Sequence, residues 1–165
     1  MQEQVILLNG PSSSGKSTLA KALQQLIEEK RDERYEIISI DDFLKMTTED
    51  VIYEEDVFDI SLKLCDKVLE VLNSHKGVII DHVITSERIF NQLKENLSSY
   101  HIHMIHVSCP LNILKKREVE RNNRRLGSAE ASYDYLFPKE GYDLSVDTYT
   151  LTAEKCSFKI LEILS

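Results

Sequence analysis

A chain of 165 residues, 42% of them hydrophobic, is long enough to bury a core and has the composition of an ordinary globular protein. Its 28 acidic and 20 basic side chains leave a net charge of −8, which argues against general nucleic-acid affinity. No apolar stretch is long enough to span a bilayer, and Met1-Gln2-Glu3-Gln4 lacks the basic start of a signal peptide. Cys65, Cys109 and Cys156 are far apart and odd in number, which reads as reduced thiols in a cytoplasmic protein.

Residues 4–9 are an apolar run that reads as a buried strand. Gly10, Pro11, Ser12, Ser13, Ser14, Gly15, Lys16 and Ser17 then make a complete G-x-x-x-x-G-K-[ST] phosphate-binding loop. A helix over 16–29 follows, opening through Thr18 and burying Leu19, Ala22, Leu23, Leu26 and Ile27. Strand, glycine-rich turn and helix start are the context this loop needs, with backbone N–H groups of residues 12–17 turned towards phosphate oxygens. Lys16 is expected on the β- and γ-phosphates of ATP, and the Ser17 hydroxyl on Mg²⁺.

Residues 35–40 are the second strand, and 59–74 have helical period, with Gly77 as the stop. Val78-Ile79-Ile80 is a short apolar strand, 86–98 a helix, and 102–107 the fourth strand. Pro110 opens the next helix. A strand near 144–146 precedes a last helix at about 152–164. Such alternation implies a parallel sheet with helices on both faces and ligands at the carboxyl ends of the strands. No repeat or linker divides the chain, so one domain over 1–165 is expected.

The strand-end rule brings Asp41 and Asp81 to the edge that holds the phosphate loop. Asp41 is assigned to the acceptor, as the carboxylate that orients a hydroxyl and takes its proton, and Asp81 to the metal side. Asp42 reads instead as a helix cap for Phe43-Leu44. Lys115 to Arg125 is strongly basic, and Arg117, Arg121 and Arg124 at i, i+4, i+7 share one helix face. This suits a lid, about 117–137, that closes over ATP and brings arginine to the developing charge. The alternative is a solvated helix face. His101, His103 and His106 read as strand histidines rather than metal ligands. Residues 49–59 hold six acids and no base, and either cover a neutral or cationic acceptor or form a solvated loop.

The sequence resembles the chloramphenicol phosphotransferase family of P-loop kinases. The resemblance is carried by Leu8-Asn9 with the phosphate loop, Ile40-Asp41, Val78-Ile79-Ile80-Asp81 and Cys109. Arg117-Glu118 through Arg121, Arg124 and Gly127, then Tyr142-Asp143, Val146-Asp147-Thr148 and Cys156 extend it. It implies an α/β P-loop NTPase fold, shikimate- or adenylate-kinase-like, with a five-stranded parallel sheet and a small lid. It also implies ATP and Mg²⁺, transfer to a primary alcohol, an Asp base at Asp41, lid arginines at Arg117, Arg121 and Arg124, and a turn at Asp147-Thr148 beside the adenine. The segment after Asp41 is shorter and more acidic than in that family, and His82 stands where the family often has a second acid. The phosphotransfer machinery therefore carries over better than the acceptor.

The expected function is an ATP-dependent kinase of a small hydroxylated molecule, with no nucleic-acid or membrane partner. A nucleoside or sugar acceptor, an ATP-dependent regulator without an acceptor, and a kinase-like toxin are the rivals.

Overall fold

The computed structural model describes residues 3–45, 54–121 and 126–164. Five parallel strands form one sheet in the order β2-β3-β1-β4-β5. They are β1 Val5–Asn9, β2 Tyr35–Ser39, β3 Gly77–His82, β4 Ile102–Ser108 and β5 Leu144–Asp147. The helices are α1 Lys16–Arg31, α2 Ile40–Leu44, α3 Glu54–Asn73, α4 Glu87–Asn96, α5 Leu111–Arg121, α6 Ser128–Tyr135 and α7 Ala153–Ile163. Among the described residues no helix is long and apolar enough to cross a membrane.

β1 sits in the middle of the sheet, which is why Val5-Ile6-Leu7-Leu8 is apolar without alternation: both faces are covered. Val5 and Leu7 join Val78, Ile80, Leu64 and Leu93 in the core beneath α3 and α4. Ile6 and Leu8 join Ile79, Leu19, Leu23 and Ile160 in the core beneath α1 and α7. All five carboxyl ends point the same way, so the loops after β1, β2, β3, β4 and β5 share one edge.

Two local expectations change. β3 extends through Asp81 and His82, so Asp81 lies within the strand rather than after it. Gly77 is the first residue of β3, not the stop of α3: a Cβ there would come 2.5 Å from the Tyr35 ring packed over it. The turn after α3 is made by Ser74 and His75, whose N–H groups bond Val71 O and Leu72 O, with His75 at φ 65. Within 117–137 the described residues form the end of α5 and, after Gly127 at φ 97, the separate helix α6.

Candidate active site

The phosphate loop leaves β1 at Asn9 and enters α1 at Lys16. Gly10 is fixed by space: a Cβ would lie 2.4 Å from the Val107 carbonyl oxygen. Gly15 is fixed by conformation, at φ 89, with nothing closer than 3.8 Å to its would-be Cβ. Asn9 is fully buried and anchors the start of the loop. Its amide donates to Phe137 O (3.0 Å) and Tyr142 Oη (2.9 Å), and its carbonyl accepts Ile84 N–H (2.9 Å).

Not every loop amide faces a phosphate site. Ser14 N–H bonds Pro11 O at 3.2 Å, and Ser12 N–H bonds the Ser132 hydroxyl on α6 at 2.9 Å. The expectation for residues 12–17 is thereby corrected at these two positions. Lys16 is buried, and its ammonium donates to Pro11 O (2.9 Å) and Ser14 Oγ (3.4 Å).

At the ends of β2 and β3 the register pairs Ser39 with Asp81. Ser17 Oγ donates to Asp81 Oδ2 at 3.1 Å, and Ser39 Oγ approaches the same oxygen at 3.5 Å. Ser39 also caps α2, accepting Asp41 N–H at 3.3 Å. The cap is thus Ser39 and not Asp42, which is exposed in the first turn. Asp41 is half-buried in that turn and lines the cavity.

A cavity of about 970 Å³ joins these groups. Ser12, Ser13, Gly15, Lys16, Ser17 and Thr18 form its floor, with Asp41 and Asp81 beside them and Arg117 and Arg121 above. Ile40, Leu44, Val57, Val83 and Tyr135 also line it, as do Thr148, Leu151, Thr152 and Ala153. Among the described lining residues the cations are Lys16, Arg117 and Arg121. Arg124 lies outside the described residues, as does the start of the 49–59 stretch.

Arg117 donates to Thr148 Oγ1 (3.2 Å) and to the Thr148 carbonyl (3.1 Å). Thr148 Oγ1 in turn donates to Ser14 O at 2.7 Å, tying the β5 turn to the loop. Asp147 is expected beside the cavity but closes its own turn, with Oδ1 accepting Tyr149 N–H (2.8 Å) and Thr150 N–H (3.4 Å). Thr148, expected there with it, lines the cavity.

His82, at the end of β3, is fully buried. Its Nδ1 accepts Val83 N–H at 2.8 Å, so the neutral ring carries its proton on Nε2, which has no hydrogen-bond partner among the described residues. Burial, then the Lys16 ammonium, push this imidazole down to about 4, so it is neutral at pH 7. The strand histidines have ordinary partners: His103 meets Gln4 Oε1 (3.1 Å), and His106 stacks on Tyr142 and meets Ser145 Oγ (3.2 Å).

Sequence reasoning quoted Asn9 and Glu118 but gave neither a role, and it missed Ser39 and Ser132. Asn9 carried a signal, as a polar residue ending a fully apolar run. Glu118 and Ser132 carried none, because their partners are backbone groups of a distant or separately folded turn. Glu118 is buried on α5 and accepts Ala129 N–H (3.0 Å) and Gly127 N–H (3.3 Å) at the start of α6.

Several solved structures share this fold. The APS kinase of Mycobacterium tuberculosis, solved with AMPPNP and APS, superposes with a TM-score of 0.78 at 14% identity, covering 98% of this chain and 96% of that one. The tunicamycin resistance protein of Deinococcus radiodurans gives 0.69 at 18% identity, over 97% and 94% of the two chains. A gluconokinase from Sinorhizobium meliloti gives 0.68 at 16%, over 97% and 94%. No curated protein sequence matches the chain. The profile of the chloramphenicol phosphotransferase-like proteins matches residues 3–165, and with the phosphate loop, Asp41 and the arginines of α5 around one cavity, the chain belongs to that family.

Proposed function

We propose that this protein is an ATP-dependent kinase of a small molecule, with an alcohol as the acceptor. The observation that carries the reading is the single cavity that runs from Lys16 and Ser17 of the phosphate loop to Asp41. In a regulator without an acceptor, nothing requires a carboxylate at that end. The superposed kinases share the fold, and their named substrates, APS and gluconate among them, make the acceptor a question of pocket chemistry.

The reaction is written on this chain's own groups. The acceptor hydroxyl attacks the γ-phosphorus, the bond from that phosphorus to the ADP oxygen breaks, and Asp41 takes the hydroxyl proton. Lys16, Arg117 and Arg121 stabilise the charge spreading over the transferred group, with Arg124 as a further candidate from the same helix face. Ser17 and Asp81 offer an oxygen-only donor set, which fits a hard cation such as Mg²⁺. The chemistry such a cation would supply there is neutralisation of phosphate charge. Thr148, with Leu151 and Thr152, is assigned to the nucleoside end, and Asp147 to holding that turn.

Ile40 and Leu44, on the helix of Asp41, line the cavity together with Val57, Val83 and Tyr135. The lining cations belong to the loop and to α5, so this wall suits an uncharged acceptor with apolar surface rather than a phosphorylated one. Chloramphenicol is the first compound to test, with nucleosides, sugars and amino alcohols beside it. ADP release by the purified protein with Mg-ATP is expected to rise at least tenfold with the right alcohol. Turnover that stays negligible with every alcohol offered would favour the regulator.

A further inference from the structure

The α5–α6 segment grips the phosphate loop at two places. On one side Arg117 reaches Thr148, which bonds Ser14 O. On the other, the Ser132 hydroxyl accepts Ser12 N–H at 2.9 Å and donates its own proton to Ser128 O at 2.7 Å. Ser132 is buried and lines the cavity. Its proton reaches Ser128 O or Ala129 O (3.1 Å), both in the preceding turn of α6, while its oxygen accepts Ser12 N–H. The hydroxyls of Ser12 and Ser13 are buried without a hydrogen-bond partner among the described residues. The front of the loop is therefore held by backbone bonds, by the Lys16 ammonium on Pro11 O and by Ser132, not by the hydroxyls of Ser12 and Ser13. Glu118 completes the link by gripping Gly127 and Ala129 N–H, so that the helix carrying Arg117 also sets the first turn of α6.

We propose that Ser132 is a positioning residue: by holding Ser12 N–H it seats α6 on the phosphate loop and keeps water away from the γ-phosphorus while the acceptor oxygen approaches. The chemical half of this proposal rests on the kinase reading; the structural half rests on the Ser12–Ser132 bond alone. When the bond is lost, water replaces the alcohol as nucleophile. Its oxygen bonds to the γ-phosphorus, the bond to the ADP oxygen breaks, a water proton passes to Asp41, and inorganic phosphate leaves in place of the phosphorylated acceptor.

The test uses the full chain with Ser132→Ala and Ser132→Thr, the second keeping the hydroxyl. Hydrogen exchange at the Ser12 amide, read by NMR without nucleotide, is expected to be about tenfold faster in Ser132→Ala and restored in Ser132→Thr, with the β1 amides unchanged in both. With Mg-ATP and the best alcohol, the ratio of inorganic phosphate to phosphorylated alcohol is expected to rise about fivefold in Ser132→Ala, and KM for ATP to change less than about twofold. Unchanged Ser12 exchange in Ser132→Ala would overturn the contact. Faster exchange with an unchanged product ratio would overturn the positioning role. If the wild type phosphorylates no alcohol, the kinase reading has failed and the chemical half falls with it, while the exchange measurement still decides the structural half.

Discussion

Lys16 folds back on its own loop, with Pro11 O at 2.9 Å and Ser14 Oγ at 3.4 Å among its partners. A buried ammonium needs such partners, and phosphate oxygens are stronger ones because they are charged. Lys16→Ala should therefore weaken both ATP binding and turnover, checked by equilibrium titration with a fluorescent ATP analogue; unaltered binding would contradict the loop assignment. Asp41 differs, because the proposed mechanism gives it the proton transfer rather than the holding of ATP. Asp41→Asn should lower kcat by about 10²–10⁴ and leave ATP affinity nearly unchanged. Equal turnover in that variant would remove Asp41 from the mechanism. Both residues were legible from position alone, one in a motif and the other at a strand end. Ser39 was not: its role depends on the β2–β3 register, which sets it against Asp81.

At the scale of elements, Glu118 is the side chain on which the α5–α6 turn depends. It is buried, and it satisfies two N–H groups at a helix start where intrahelical partners do not exist. Glu118→Leu should cost about 1–3 kcal/mol in urea unfolding, since Gly127 and Ala129 N–H lose their acceptor, the second of them in buried surroundings. A cost near zero would mean that the carboxylate is dispensable to the fold. The strands and the long helices were legible because period and burial agree in them, as in β1 and α1. The boundary at Gly77 was misread because a glycine after a helix usually stops it, whereas here the Tyr35 ring packed over the strand decides. The helix α6 itself was not legible, because its apolar face is weak and contacts to α5 and the loop fix it.

For the whole molecule, the −8 net charge and the parallel sheet with two cores set its response to pH. Burial, then His101 for one and Lys139 for the other, hold His103 and His106 below the ordinary 6.5. As pH falls through that value the unfolded chain takes up protons first, so stability is lost on acidification. Between pH 7.5 and 5.5 the wild type should lose more in Tm than a His103→Gln/His106→Gln variant; equal losses would place the effect elsewhere. The thiols move in the opposite sense. Burial pushes Cys65 up to about 11, and Cys109 and Cys156 are also raised and buried. With little thiolate and little access, none should react with a disulfide reagent at pH 8 until the protein unfolds. Fast labelling of the native protein would contradict the packing around them.

Phosphoryl transfer itself is measured most directly with γ-labelled ATP, following the label into acceptor or into free phosphate, for the wild type and Asp41→Asn side by side. Label is expected in a phosphorylated alcohol for the wild type, and nearly none for Asp41→Asn at equal ATP occupancy. Label that stays in ATP with every alcohol offered, or equal transfer by Asp41→Asn, would contradict the proposed mechanism.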